Sequence, residues 1–320
     1  MTDPATAAVG YRSPLLDLPD AVEADAPDSG VAAHYGSPFA EQKRLEAGQG
    51  FVDLSHRGVL KVTGPDRLGW LHSLTSQQLE GIAPHTTTMT LILSPQGHLE
   101  HAFTGYDDGE SFWAHTEPER ITDLVEWLDR MRFLLRVEVS DETAAHAVVQ
   151  PADGPAVLVE RSSLPAYAEE HGPPAGIWAA EALRIAGGVP RPGLDTDERT
   201  IPNEAGLLGL AVALEKGCYR GQETVARVHT LGRPPRRLVL LHLDGSVDRL
   251  PERGSDLTLD GRTVGMVGSS ARHHELGPIG LGLVKRNVAT DAELLADGVA
   301  AAQEVLVDPD VGMHVRPKLR

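Results

Sequence analysis

The sequence predicts an α+β chain that ends in a small all-β domain. Between Gly58 and Gly232, segments with the two-residue period of strands alternate with segments of helical period. After Arg237 only strand patterns remain. The chain has 320 residues and is 41% hydrophobic, enough for two or three packed cores.

In chain order, residues 1–28 are rich in Ala, Asp and Pro with little periodicity, and a mobile tail is expected there. The folded part is expected to begin near "GVAAHYG". "GVLKVTG" alternates as a strand, and "PDRLGWLHSL" opens a helix with Pro65 at its start. A meander follows: "TMTLILS", the turn "PQG", "HLEHAFTGY", the turn "DDG", then "SFWAHT". Thr116 and Glu119 have the spacing of a capping box, and Ile121, Leu124, Val125, Leu128 and Met131 mark the apolar face of the next helix. "FLLRVEVS", "AHAVVQ" and "AVLVE" read as strands, and "WAAEALRIAGG" as a helix closed by glycines. The long polar loop "VPRPGLDTDERTIPNEAG" has the length of a functional loop. "GQETVARVHTLG" reads as a short helix. Beyond it, "LVLLHL", "LTLDGRTVGMVG", "PIGLGLVKR" and "EVLVD" are strands, with Asp260-Gly261 as a hairpin turn.

Composition excludes several functions. A net charge of −17 argues against nucleic acid as the main partner. No apolar run reaches the length of a membrane span, and the opening residues lack a secretory pattern. One cysteine allows no internal disulfide, which fits a reducing cytoplasm; a monomer is expected. No phosphate-binding glycine loop or nucleophile elbow occurs. Of the 14 histidines, His98 and His101 should face opposite sides of a strand and the adjacent His273 and His274 should diverge, so no metal site is expected.

Two features stand out. Lys216, Arg220, Arg227, Arg233, Arg236 and Arg237 form a basic island that suits an anionic ligand. Within it lies "EKGCYRGQET", with the sole cysteine, Cys218. A lone cysteine is most often a small buried hydrophobe. Here Gly217 and Gly221 imply a tight loop, Lys216 and Arg220 bring positive charge, and a helix N-terminus follows, which together favour a reactive thiol.

"KGCYRGQE" resembles the signature of the YgfZ family, K-G-C-x-x-G-Q-E. "GLDTDERTIPNEAGL" resembles the same family's G-x-D-T-D-E-x-T-x-P-x-E-A-G block. "FVDLSHRGVLKVTGPDRLGWLHSLTSQ" is similar to a block shared with the glycine-cleavage T-protein, an aminomethyltransferase, and "GLGLVKR" to a strand of the C-terminal domain of both. The resemblance implies a three-domain, T-protein-like cloverleaf with ferredoxin-like α+β layers and a C-terminal all-β barrel. The implied divisions are a tail over 1–28, a folate-binding region of two interleaved α+β subdomains over 29–234, and the barrel over 235–320.

It also implies an accessory role in assembly or repair of iron–sulfur enzymes, with those enzymes and a folate as partners. The alternative is a tetrahydrofolate-dependent aminomethyl- or methyltransferase. The implied cofactor is tetrahydrofolate or another reduced folate, in a channel lined by the Arg184 to Asn203 region. Cys218, Lys216, Gln222 and Glu223 are the implied functional residues; Arg184, Glu100 and Arg227 the implied cofactor contacts. Two positions depart from the relatives. Ala186 stands where they carry a pterin-binding glutamate, so a glutamate restored there is expected to tighten folate binding. Glu100 lies near the T-protein's one-carbon aspartate, where it meets either the cofactor or solvent.

Overall fold

The computed structural model describes residues 11–312. The chain divides into two compact units. One contains the chain up to Ser73, Gln78–Met89 and Phe103–Ala180; the other contains Leu74–Gln77, Thr90–Ala102 and the chain from Glu181 onward.

The first unit opens with the ribbon β1 (Ala21–Glu23) and β2 (Ala32–Tyr35), then α1 (Pro38–Glu46) and β3 (Phe51–Asp53). Chain order continues with β4 (Gly58–Thr63), α2 (Arg67–Leu74), the meander β5 (Thr88–Leu93), β6 (Leu99–Asp107) and β7 (Ser111–Thr116), of which Thr90–Ala102 belongs to the other unit, and α3 (Ile121–Met131). Then come β8 (Glu138–Asp141), β9 (His146–Pro151), β10 (Val157–Glu160), α4 (Leu164–His171), β11 (Pro174–Ala175) and the start of α5 (Ile177–Ala186). One sheet has the order β5-β6-β7-β4-β8 and another β10-β9-β3-β11. Ile121, Leu124 and Leu128 of α3 are buried. Gly58 on β4 is needed there, because a Cβ on it would lie 2.4 Å from that of Ile121.

Three expectations for this unit are corrected. The second half of the expected tail is part of the fold: Pro14–Asp17 forms a 3-10 turn, Ser13 Oγ donates to Asp53, and Leu15 joins the core cluster of Phe51, Val149 and Leu164. Short apolar anchors between polar residues have no period to reveal them; residues 1–10 lie outside the described ones. The helix start expected at Thr116 lies later: Glu117 precedes a 3-10 turn and Arg120 precedes α3, neither with a side-chain cap. The run "FLLRVEVS" is not one strand. Phe133 takes a left-handed φ of 47°, and Phe133 and Leu134 are exposed. The backbone and guanidinium N–H groups of Arg136 donate to Asp66, and β8 starts only at Glu138.

The second unit contains most of β5, its turn and the start of β6, the end of α5, a long loop, α6 (Gln222–Leu231) and the strands β12 (Arg236–Leu243), β13 (Asp256–Leu259), β14 (Arg262–His273), β15 (Gly277–Lys285), β16 (Leu294–Ala296) and β17 (Val299–Val305). These strands close into a barrel in the order β12-β15-β14-β13-β16-β17. Alternation along β12 sorts its side chains. Val239, Leu241 and Leu243 join one core cluster, whereas Leu238 and Leu240 pack in another with Ala182 and Ile185 of α5. Asp260 and Gly261 both have positive φ, the geometry that a two-residue hairpin requires. His273 and His274 do not diverge; their ring centroids are 4.7 Å apart.

Candidate functional site

The segment Lys216 to Glu223 is a loop that leads into α6, and it is held at several points within the second unit. The Lys216 ammonium is buried and donates to the carbonyl oxygens of Thr75 (2.6 Å) and Gln77 (3.0 Å). Arg220 donates to both carboxylate oxygens of Glu100 on β6, at 2.5 and 3.4 Å. Gly221, with φ 81°, packs on the β5–β6 turn so tightly that a Cβ would meet the Ser94 carbonyl oxygen at 2.5 Å. Gly97 answers from the turn, where a Cβ would meet Thr224 at 2.9 Å. Gln222 Nε2 donates to the Lys216 carbonyl at 3.5 Å, a long bond across the loop. Cys218 is exposed between these anchors.

Burial shifts two groups of the loop. It pushes the Lys216 ammonium down to about 8 and the Tyr219 phenol up to about 12. The ammonium lies 5.4 Å from the centre of the Tyr219 ring. Lys216 is therefore an internal anchor, which corrects the expectation of a charge exposed beside the sulfur. Glu223 is exposed in the first turn of α6, where a carboxylate suits the helix dipole. Arg227 is exposed farther along the helix.

The acids of the "DTDE" block fasten the long loop to the barrel. A bulge between Val267 and Ser270 interrupts the β14–β15 ladder, and the Asp195 carboxylate accepts from the Ser269 N–H at 2.6 Å. Only a glycine fits at 268, since a Cβ would lie 2.4 Å from Asp195. Asp195 also accepts from the Arg191 N–H and from Arg184, both at 2.7 Å. Asp197 and Glu204 accept from Arg236 of β12. Sequence reading missed these acids as a group, although their spacing in one glycine- and proline-rich loop was the available signal.

This arrangement changes the roles expected of three residues. Arg184 donates to Glu181, Asp195 and the Val189 carbonyl, so its guanidinium serves the loop. Glu100, expected to meet the cofactor or solvent, pairs with Arg220. Ala186 packs against the apolar cluster of Ile185, Ile279 and Leu281. The basic island is not one face either. Arg237 is fully buried in β12 and donates to Gln303 and to the carbonyls of Lys285 and Arg286, while Arg227 and Arg233 are exposed.

Comparison with known proteins bears on the fold. A family model described as the CAF17 C-terminal beta-barrel domain matches residues 236–307. The mitochondrial iron-sulfur cluster assembly factor IBA57 homolog of Mycosarcoma maydis is 27% identical over 224 residues, 58% of this chain and 55% of that protein. The tRNA-modifying protein YgfZ of Escherichia coli is 43% identical over 79 residues, 24% of each chain. The glycine cleavage system aminomethyltransferase T from Bartonella henselae superposes with a TM-score of 0.77 at 18% identity, covering 93% of this chain and 96% of that one. This chain has the T-protein fold, and its closed barrel matches the CAF17 C-terminal barrel model. Among the described residues no helix is long and apolar enough to cross a membrane.

Proposed function

We propose that this chain is an accessory protein in the assembly or repair of iron–sulfur enzymes, with Cys218 as its working point. The observation that carries the reading is the contrast within one loop: Lys216, Arg220 and Gly221 are engaged, while Cys218 is exposed. A thiol presented on an anchored loop can meet a cluster, a sulfur species or a partner thiol without the loop first having to order. The relative named as an iron-sulfur cluster assembly factor supports the same direction.

The likeness to an aminomethyltransferase supports a reduced folate as ligand. Two of the three side chains expected to hold it are engaged elsewhere, while Arg227 is exposed. Arg184 and Glu100 are committed to ion pairs, and Ala186 offers no carboxylate. A one-carbon transferase is the second reading, favoured by the extent of the T-protein likeness.

Deletion of the gene, with activities of several iron–sulfur enzymes and of glycine cleavage measured side by side, separates the two. Loss of iron–sulfur activities with intact glycine cleavage is expected. Full rescue by a Cys218→Ala copy would remove Cys218 from the function.

A further inference from the structure

We propose that the turn after α3 is a docking surface for a second copy of this chain, the two Phe133–Leu135 tips meeting about a two-fold axis. The turn holds apolar side chains in water: Phe133 is 79% exposed, Leu134 100% and Leu135 45%. Adjacent apolar side chains displayed in this way mark an interaction site, as scattered single ones do not. The backbone is fixed for that display. The Leu135 N–H donates to the Arg132 carbonyl at 2.9 Å, the Trp70 indole N–H donates to the Met131 carbonyl at 3.1 Å, and Arg136 is held on Asp66. Phe133 keeps its left-handed φ of 47°, where a glycine or asparagine would sit with less strain and suit solvent better. A tip fixed this way loses little freedom when it docks.

The charges around the tip select the partner. Arg130 pairs with Glu126, Arg132 with Asp129 and Arg136 with Asp66, at 3.7, 3.1 and 2.7 Å. These pairs balance, whereas the whole chain carries −17. An anionic lipid surface or a strongly charged protein finds no net charge here to hold it. An identical tip turned about a two-fold axis presents the same arginines and acids, so each can trade its own partner for one across the axis. Surface pairs are weak enough for that exchange. Two copies of an acidic chain also repel least where they approach through a neutral patch. The three apolar side chains offer on the order of 400 Å² per copy, so the pair stays below the roughly 1,200 Å² at which stable interfaces begin. The dimer is therefore weak, with a dissociation constant on the order of 100 μM, and dilute solution holds the monomer expected from the sequence.

Sedimentation velocity of the native full chain, from about 5 to about 500 μM, reads the association. Wild type should pass from monomer to dimer, and about 0.5 M salt should move the transition to lower concentration by screening the repulsion between copies. Phe133→Asn relaxes the turn and removes the phenyl group; it should raise the dissociation constant about ten-fold or more while the urea midpoint holds or rises. Leu134→Glu, at a fully exposed side chain, should weaken the dimer as much by setting like charges across the axis. A wild type that stays monomeric at about 500 μM overturns the proposal, as does a dimer that salt disperses or that both variants leave intact. Monomeric wild type that co-sediments with phosphatidylglycerol vesicles, with the binding lost in Phe133→Asn, would assign the tip to a membrane in place of a second copy.

Discussion

Gly221 lies so close to Gly97 that a Cβ on Gly221 would stand 2.9 Å from the Gly97 Cα. The first residue before α6 is thereby set against the tip of a hairpin more than a hundred positions earlier in the chain. Gly221 also has a φ of 81°, which side-chain-bearing residues seldom adopt. Gly217 differs, since a Cβ there would meet nothing within 4 Å. Gly221→Ala should destabilise the protein by more than about 1 kcal/mol, and Gly217→Ala by less than about 0.5. Urea unfolding of the two variants reads the contrast directly. Equal midpoints would mean the hairpin does not hold the loop.

Arg236 binds two carboxylates of the long loop, and one of them, Glu204, is 2% exposed. Arg236→Met strands that buried carboxylate, at a cost of about 3 kcal/mol near pH 7. Hydrogen bonds from Arg236 hold the Asp197 carboxyl well below the usual carboxylate range. Because the folded value is depressed, this stabilisation is present above the free-chain value of about 4 and fades as pH falls below it. The stability gap between wild type and Arg236→Met should therefore be wider at pH 7 than at pH 3. A gap independent of pH would remove Asp197 from the linkage.

Periodicity revealed what repeats and concealed what does not. The Asp260-Gly261 hairpin was legible because two positive-φ positions demand such residues. The Cys218 loop was legible in part, since glycines beside a thiol announce a close turn. Its anchors were not, because Lys216 and Arg220 look like exposed charges until their partners in other segments are known. Arg237 misled for the same reason: β12 turns it inward, where backbone carbonyls and Gln303 receive it. Phe133 and Leu134 misled in the opposite sense, as an apolar run left in a turn.

Ala186 was expected to be a position where a glutamate would restore folate binding. Its methyl group instead packs with Ile185, Ile279 and Leu281 against the barrel. A carboxylate there would lose water without gaining a donor, at a cost of about 1–3 kcal/mol. Ala186→Glu should lower the urea midpoint and add no heat on titration with tetrahydrofolate. Tighter binding at unchanged stability would show that the side chain reaches a ligand.

Lys216 makes the loop sensitive to alkali. Burial lowers its ammonium to about 8, against about 10.4 in a free chain. Below pH 8 both folded and unfolded chains carry the proton, so the full cost of burying the charge applies. Between about 8 and 10.4 the unfolded chain holds more protons than the folded one, and stability must rise with pH across that window. The neutral amine still has two N–H donors, which suffice for the carbonyls of Thr75 and Gln77. Lys216→Met has no proton to lose and leaves both carbonyls without this donor. The stability advantage of wild type over Lys216→Met should therefore grow from pH 7.5 to pH 10, in steps of about half a pH unit by urea unfolding. A constant advantage would mean that the ammonium is as well solvated in the fold as outside it.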